Sequence, residues 1–284
     1  MHYVRPNSIE EAVDLAAKDN AFILAGGSDL LVRMKGDFVD PDLIIDIKAI
    51  KGLGDIRETD GGFSIGAAVP CAALGEHAAL KSAWPGVVEA ANLIGSKQVQ
   101  GRCTIAGNLC NASPAADSVP ALVAADAQAV IIGPSGKRTV AVQSIPTGPG
   151  KTSLAAGEIV ESIELANRPA RSSDAYLRFI PRSEMDIAVV SAAVNLTLDS
   201  SGVIETARVA LGAVAATVLL VTEAADAIVG TKLDADALDK LAAACSAASK
   251  PIADKRGTVE YRKKVAGVLA RRAAEIAYKR AGGQ

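Results

Sequence analysis

The chain opens with a polar start that turns amphipathic. Ser8-Ile9-Glu10-Glu11 has the form of a capping box, and Ala12, Val13, Leu15, Ala16 and Ala17 carry a short helix after it. The apolar run 21–24 predicts a strand that ends at Gly26-Gly27, with Ser28 or Asp29 placed to cap a helix through Leu30, Leu31 and Val32. Residues 42–47 and 63–67 alternate as strands, with a turn at Asp60-Gly61-Gly62 before the second. Helical spacing follows around Leu74, and again after Trp84-Pro85-Gly86 through Val87, Val88, Ala91 and Ile94. Beyond residue 118 the pattern predicts a helix over 119–125 and strands over 127–132, 138–142, 158–165 and 175–179, with a Gly/Pro-rich loop at 147–152. A polar stretch at 167–174 marks a boundary. After it come strand-like runs at 187–198 and 208–214 and a helix capped by Asp234. A last helix over about 259–278 has Tyr261, Val265, Val268, Leu269 and Ile276 on one side, and Arg262, Lys263, Lys264, Arg271 and Arg272 on the other. The alternation predicts an α+β chain.

Two stretches break the periodicity with small residues and amides. They are Leu24-Ala25-Gly26-Gly27-Ser28-Asp29-Leu30-Leu31 and the run from Thr104 through Ile105, Ala106, Gly107 and Asn108 to Asp117. Small residues let backbone approach a ligand closely and leave N–H groups free to point outward. A strand, a Gly-Gly turn and a capped helix also aim N–H groups at an anion. Neither stretch carries a basic cluster, so backbone amides would have to meet any phosphate. The two are expected to hold one phosphate-bearing cofactor between them, with Asp117 accepting hydrogen bonds from sugar hydroxyls.

Composition narrows the remaining choices. The 284 residues suffice for one large or two ordinary domains, and 50% are hydrophobic, which excludes a disordered chain. Aromatics make up only 3%, too few for the stacking platforms of single-stranded nucleic-acid binders. A net charge of −2 gives no general attraction to nucleic acid or anionic membrane. The longest apolar run, 209–222, is shorter than the ~18 residues of a spanning helix. The expectation is a soluble, cytoplasmic protein. The four cysteines form no C-x-x-C pair and only His2 and His77 supply imidazole, so no metal site is expected.

Familiar catalytic signatures fail. Gly52-Leu53-Gly54-Asp55-Ile56-Arg57 begins like a dinucleotide fingerprint, but Arg57 stands where the third Gly must pack. Gly150-Lys151-Thr152 ends like a P-loop, but Ile145 holds the place of its first Gly. No G-x-S-x-G is present, and no catalytic side chain is assigned.

The two small-residue stretches together strongly resemble the FAD-binding medium subunit of molybdenum hydroxylases, the xanthine dehydrogenase and carbon monoxide dehydrogenase family. The resemblance extends through 147–160, then Tyr176-Leu177-Arg178-Phe179 with Arg182, Asp186 and Ala188, and on to Tyr261-Arg262 with Leu269, Arg271 and Arg272. It implies a PCMH (vanillyl-alcohol-oxidase) type FAD-binding domain over 1–170, with subdomains of about 1–55 and 56–170. A smaller α+β flavoprotein domain would follow over 171–284. It further implies that Leu24 to Leu31 and Thr104 to Asn108 wrap the FAD diphosphate, that Asp117 lies on the ribose/adenine side, and that Val160 and Arg178 approach the flavin. Two departures stand out: Ala106 where Gly is usual, which requires a negative φ there, and Arg178 where Lys is common. Some relatives bind flavin covalently through a His in the first loop. Ser28 stands in that loop here, so the FAD is expected to be non-covalent.

The function so implied is electron transfer. A large partner subunit carries the molybdenum cofactor, a small partner subunit carries [2Fe-2S] clusters, and FAD on this chain passes electrons to an external acceptor, in a dimer of heterotrimers. A stand-alone flavin oxidase of the same fold is the alternative, and a scaffold that has lost its cofactor is a third.

Overall fold

The structure is a computed structural model and describes residues 1–283. The chain begins with β1 (His2–Val4), α1 (Ile9–Ala16), β2 (Ala21–Leu24), α2 (Leu30–Lys35) and β3 (Leu43–Asp46). The three strands form a parallel sheet in the order β1-β3-β2. The middle strand is buried along its length, as a strand covered on both faces must be. The edge strand β1 is invisible to periodicity because its three residues are largely exposed and are recruited by the free edge of β3. Ser8 caps α1 by accepting from the Glu11 N–H, while the Glu11 carboxylate accepts from the Asn7 N–H one residue further out than the capping box requires.

A second sheet follows. Its strands are β4 (Ile56–Thr59), β5 (Gly62–Gly66), β6 (Gln128–Gly133), β7 (Gly136–Ala141) and, after the small hairpin of β8 (Pro146–Gly148) and β9 (Lys151–Thr152), β10 (Ile159–Ala166). The order is β4-β5-β10-β6-β7, antiparallel throughout. Between β5 and β6 run α3 (Cys71–Glu76), α4 (Ala78–Ala83), α5 (Pro85–Ala91), α6 (Lys97–Gln100), α7 (Ile105–Cys110) and α8 (Ser118–Ala124). Gly52 to Arg57 runs into β4, and Gly150-Lys151-Thr152 closes the small hairpin, so neither opens a phosphate-binding helix.

The remainder is a four-stranded antiparallel sheet with helices on one face: β11 (Ser172–Phe179), β12 (Val190–Leu198), β13 (Ile204–Gly212), β14 (Leu219–Leu220), α9 (Thr222–Asp226), α10 (Ala235–Ala248) and α11 (Val259–Arg280). Both faces of this sheet are covered. Ala193 and Ala210 join the core that includes α5 and α8, whereas Val194, Leu196 and Val209 join a second core with α10 and α11. That double burial explains why β12 reads as a continuous apolar run. The polar stretch 167–174 is a pinned junction. Arg168 stacks over Trp84 at 4.0 Å, pairs with Asp174 at 2.7 Å and donates to Ala83 O, while Asp174 accepts from the Val87 N–H.

The last helix follows its sequence pattern in part: Leu269 is buried and Val265 and Ile276 pack against the second core, as expected. Its buried stripe is Ala266, Ala270, Ala273, Ala274 and Ala277, whereas Tyr261 and Val268 are 43% and 38% exposed. Small residues win because α10 approaches closely: a Cβ on Gly267 would lie 2.8 Å from Ala242 O. Arg262, assigned to the polar side, is buried and donates to Val189 O, Ala213 O and Asp254 Oδ1.

Candidate functional site

The first small-residue loop leaves β2 and is fixed from below and beside. Lys48 Nζ donates to Ala25 O at 3.0 Å while paired to Asp46 at 2.7 Å. A Cβ on Gly26 would lie 2.1 Å from Arg102 O, so only glycine permits the approach. Gly27 has φ +75°, the left-handed region that favours glycine. Asp29 occupies the cap position of α2 but does not cap it; its Oδ1 accepts from Asn111 Nδ2 at 3.0 Å and so ties the first loop to the second. Burial pushes the Asp29 carboxyl up, against the pull of Arg33.

The second stretch is more helical than its composition suggests. Thr104 caps α7 by accepting from the Gly107 N–H at 2.9 Å, and Asn108 Oδ1 accepts from both Ser118 N and Ser118 Oγ at the start of α8. Ala106 lies inside α7 and is not among the residues of positive φ; Ala112 is, at +50°, and its carbonyl accepts from the Gly150 N–H. The non-glycine residue at 106 is therefore unstrained.

Between the two stretches lies a cleft of about 300 Å³. Ala25, Gly26, Gly27, Ser28, Asp29 and Leu30 form one wall, and Thr104, Ala106, Gly107 and Asn108 the other, and Val160 also lines it. A register shift between Val160 and Ser162 in β10 makes Glu161 the extra residue of a bulge beside it. Leu24, Leu31, Ile105, Asp117 and Arg178 do not line the cleft. Leu24 and Leu31 pack around Gly27, and Ile105 is core. Asp117 and Arg178, expected at the two ends of an extended dinucleotide, instead share one place: Arg178 Nη1 meets Asp117 Oδ2 at 2.8 Å, and Tyr176 Oη donates to Asp117 Oδ1 at 3.2 Å. Burial pushes the Asp117 carboxyl up, while Arg178 and Tyr176 draw it back.

The walls fit a diphosphate. Among the described residues, the amides of Gly26, Gly27, Ser28, Asp29 and Leu30 donate to no protein acceptor, and neither does that of Ala106 across the cleft. Unpaired amides in one concave site are anion donors. Sequence reasoning missed Arg33, which also lines the cleft and sits one turn beyond the Asp29 cap, a spacing that marks it in hindsight. It also missed Glu158 and Cys103, whereas Cys110 and Asn111 line the cleft from within the second stretch, with no individual role assigned there. Glu158 is held by Arg138 through two 2.7 Å bonds and by the Ala155 N–H; the Arg138 bonds foremost pull its carboxyl down to about 2. Burial pushes the Cys110 thiol up to about 12. No group of metal-ligating side chains occurs among the described residues. No helix there is long and apolar enough to cross a membrane.

Comparison with known proteins points the same way. Residues 1–167 match the family described as FAD binding domain in molybdopterin dehydrogenase, and residues 175–277 match the CO dehydrogenase flavoprotein C-terminal domain. The carbon monoxide dehydrogenase medium chain of Afipia carboxidovorans is 37% identical over 281 residues, which cover 98% of this chain and 97% of that one. The glyceraldehyde dehydrogenase medium chain of Sulfolobus acidocaldarius is 32% identical over 272 residues, 95% of this chain and 96% of its own. Among solved structures, reconstituted CO dehydrogenase from Oligotropha carboxidovorans superposes with a TM-score of 0.94 at 36% identity, covering 99% of this chain and 98% of that one.

Proposed function

The chain belongs to the family of FAD-binding medium subunits of molybdenum hydroxylases, and from that premise we propose how its cleft serves an electron-transfer complex. It is a flavoprotein subunit of an oxidoreductase. When bound, FAD supplies reversible two-electron uptake and release. The chain's own part is to bind and orient. Gly26, Gly27 and Ser28 on one wall, and Ala106 on the other, donate amides to the diphosphate. Gly107 lines the second wall with its own N–H held by Thr104, and Thr104 and Asn108 fix that wall. The Asp29–Asn111 hydrogen bond clasps the walls together. Val160 lies at the flavin end. The observation that carries this reading is the array of unpaired amides from Gly26 to Leu30, with that of Ala106 on the other wall of the same cleft.

The cofactor is held non-covalently. In this reading 1–170 form the FAD-binding unit and 171–284 a unit that braces it through Arg168, Asp174 and the Asp117–Arg178 pair. The partners are a small subunit with [2Fe-2S] clusters and a large subunit with the molybdenum cofactor, in a cytoplasmic dimer of heterotrimers. Related medium chains serve dehydrogenases named for carbon monoxide and for glyceraldehyde, which supports assigning substrate choice to another chain.

The stand-alone oxidase is disfavoured by the cleft's chemistry. Such an enzyme needs a free acid or base beside the flavin. The carboxylates on the walls are engaged, Asp29 with Asn111 and Glu158 with Arg138, Cys110 stays a neutral thiol, and Cys103 is buried against Cys71. Affinity-tagged protein purified from its own host tests the choice. Iron and molybdenum that co-elute with flavin through gel filtration support the heteromeric reading. A homogeneous flavoprotein that oxidises a substrate without those metals overturns it.

A further inference from the structure

We propose that Cys71 and Cys103 form a dithiol modification site in the floor of the cleft, oxidised to a disulfide by a peroxide and restored by a thiol reductant. The Cys71 N–H donates to Cys103 O at 2.8 Å, which brings the first residue of α3 against the residue that precedes the Thr104 cap. Backbone bond lengths then keep the two Cα atoms within about 6.7 Å. Disulfides span Cα separations of about 4.4–6.8 Å. The two thiols are close enough to shift one another's titration in opposite senses.

The two sulfurs are not equivalent. Cys103 lines the cleft, whereas Cys71 is fully buried behind it. The neighbouring Cys71 thiol draws the Cys103 thiol below its ordinary range, against burial and the carboxylates of Asp29 and Asp117. The Cys103 neighbour and burial push Cys71 up. Of the pair, Cys103 is thus the sulfur that an oxidant entering by the cleft meets first, and the one whose thiol is the easier to ionise. Cys110 shares the cleft, but it lacks both a partner thiol and a lowered pKa.

The steps balance. The Cys103 thiolate attacks one peroxide oxygen and cleaves the O–O bond, giving a sulfenic acid and a hydroxide that takes the Cys71 proton. The Cys71 thiolate then attacks the Cys103 sulfur and expels hydroxide, which leaves as water with a solvent proton. Two thiols lose two electrons in total, one hydrogen peroxide gains them, and two waters form. The steps use no cofactor, so their outcome is read apart from the cofactor reading. Cys103 is reached through the cleft, however, and bound FAD would shield it, so the titration is run on flavin-free protein.

Peroxide titration of the whole purified protein, followed by alkylation and non-reducing digestion for mass spectrometry, tests the site. The expected product joins the Cys71 and Cys103 peptides about 2 Da below their summed mass and disappears after dithiothreitol, while Cys110 and Cys245 stay alkylatable. In C71S, Cys103 should run on to sulfinic acid, about 32 Da heavier. In C103S, Cys71 should survive the same peroxide dose. The wild-type digest decides even if a variant misfolds. Sulfinic Cys103 without a cross-link in the wild type, oxidation of Cys110 ahead of Cys103, or survival of both thiols overturns the proposal.

Discussion

Replacing Gly26 by alanine should separate the two walls of the cleft. The added Cβ would lie 2.1 Å from Arg102 O, 2.7 Å from Arg102 C and 2.8 Å from Cys103 Cα. All three are backbone atoms, so no rotamer change relieves the clash, and the walls must move apart by about 1 Å to restore ordinary contact. Overpacking of this kind costs about 1–3 kcal/mol. At roughly 2 cal/mol/K per residue, the unfolding entropy of 284 residues is about 600 cal/mol/K, so the midpoint should fall by about 2–5 °C. Any share of the cost borne by the bound state weakens FAD, up to about a hundredfold. Gly54→Ala is the control, because nothing lies within 4 Å of its Cβ position and its φ is not positive. Calorimetry with and without FAD, and quenching of flavin fluorescence, read both quantities. If Gly26→Ala matches Gly54→Ala in melting temperature and FAD affinity, the clamp geometry is wrong.

Three further outcomes follow from the same contacts. Asn111→Ala removes the 3.0 Å bond to Asp29 and should weaken FAD about three- to tenfold with little loss of stability, read by equilibrium dialysis. Arg178→Met leaves the Asp117 carboxyl buried and unpaired, which costs about 3–5 kcal/mol, and adding Asp117→Asn should recover much of it; a calorimetric double-mutant cycle decides. Glu158, with its carboxyl at about 2, contributes stability that is complete above the ordinary range near 4.3 and is lost as pH falls toward 2. Arg138→Leu should therefore lower stability at neutral pH and flatten its dependence between pH 4.5 and 2, measured by acid unfolding.

Much of the fold was legible because its signals are local. The Ser8 cap, the strand into Gly26-Gly27 and the Asp234 cap each rest on chemistry within a few residues, and each recurs in the structure. The errors arise where distant contacts decide. Nothing near Tyr261 announces that α10 will press on alanine and glycine, which turns Tyr261 outward and buries Arg262. The second wall breaks the apolar periodicity because small residues and amides suit turns as well as helices. Thr104 caps one short helix, and Asn108 within it bonds the start of the next. Asp117 and Arg178 are 61 positions apart, so their pairing lay beyond any spacing rule. The amide-rich walls themselves were readable, since glycine beside serine and asparagine carries a physical meaning wherever it occurs.

The most direct test is the flavin content of the purified chain. After saturation with FAD and removal of excess, heat or acid should release close to one FAD per chain, leave the precipitate colourless, and release less from Gly26→Ala. Absence of bound flavin, flavin that stays with the precipitated chain, or FMN bound as tightly as FAD would contradict a non-covalent clamp built around a diphosphate.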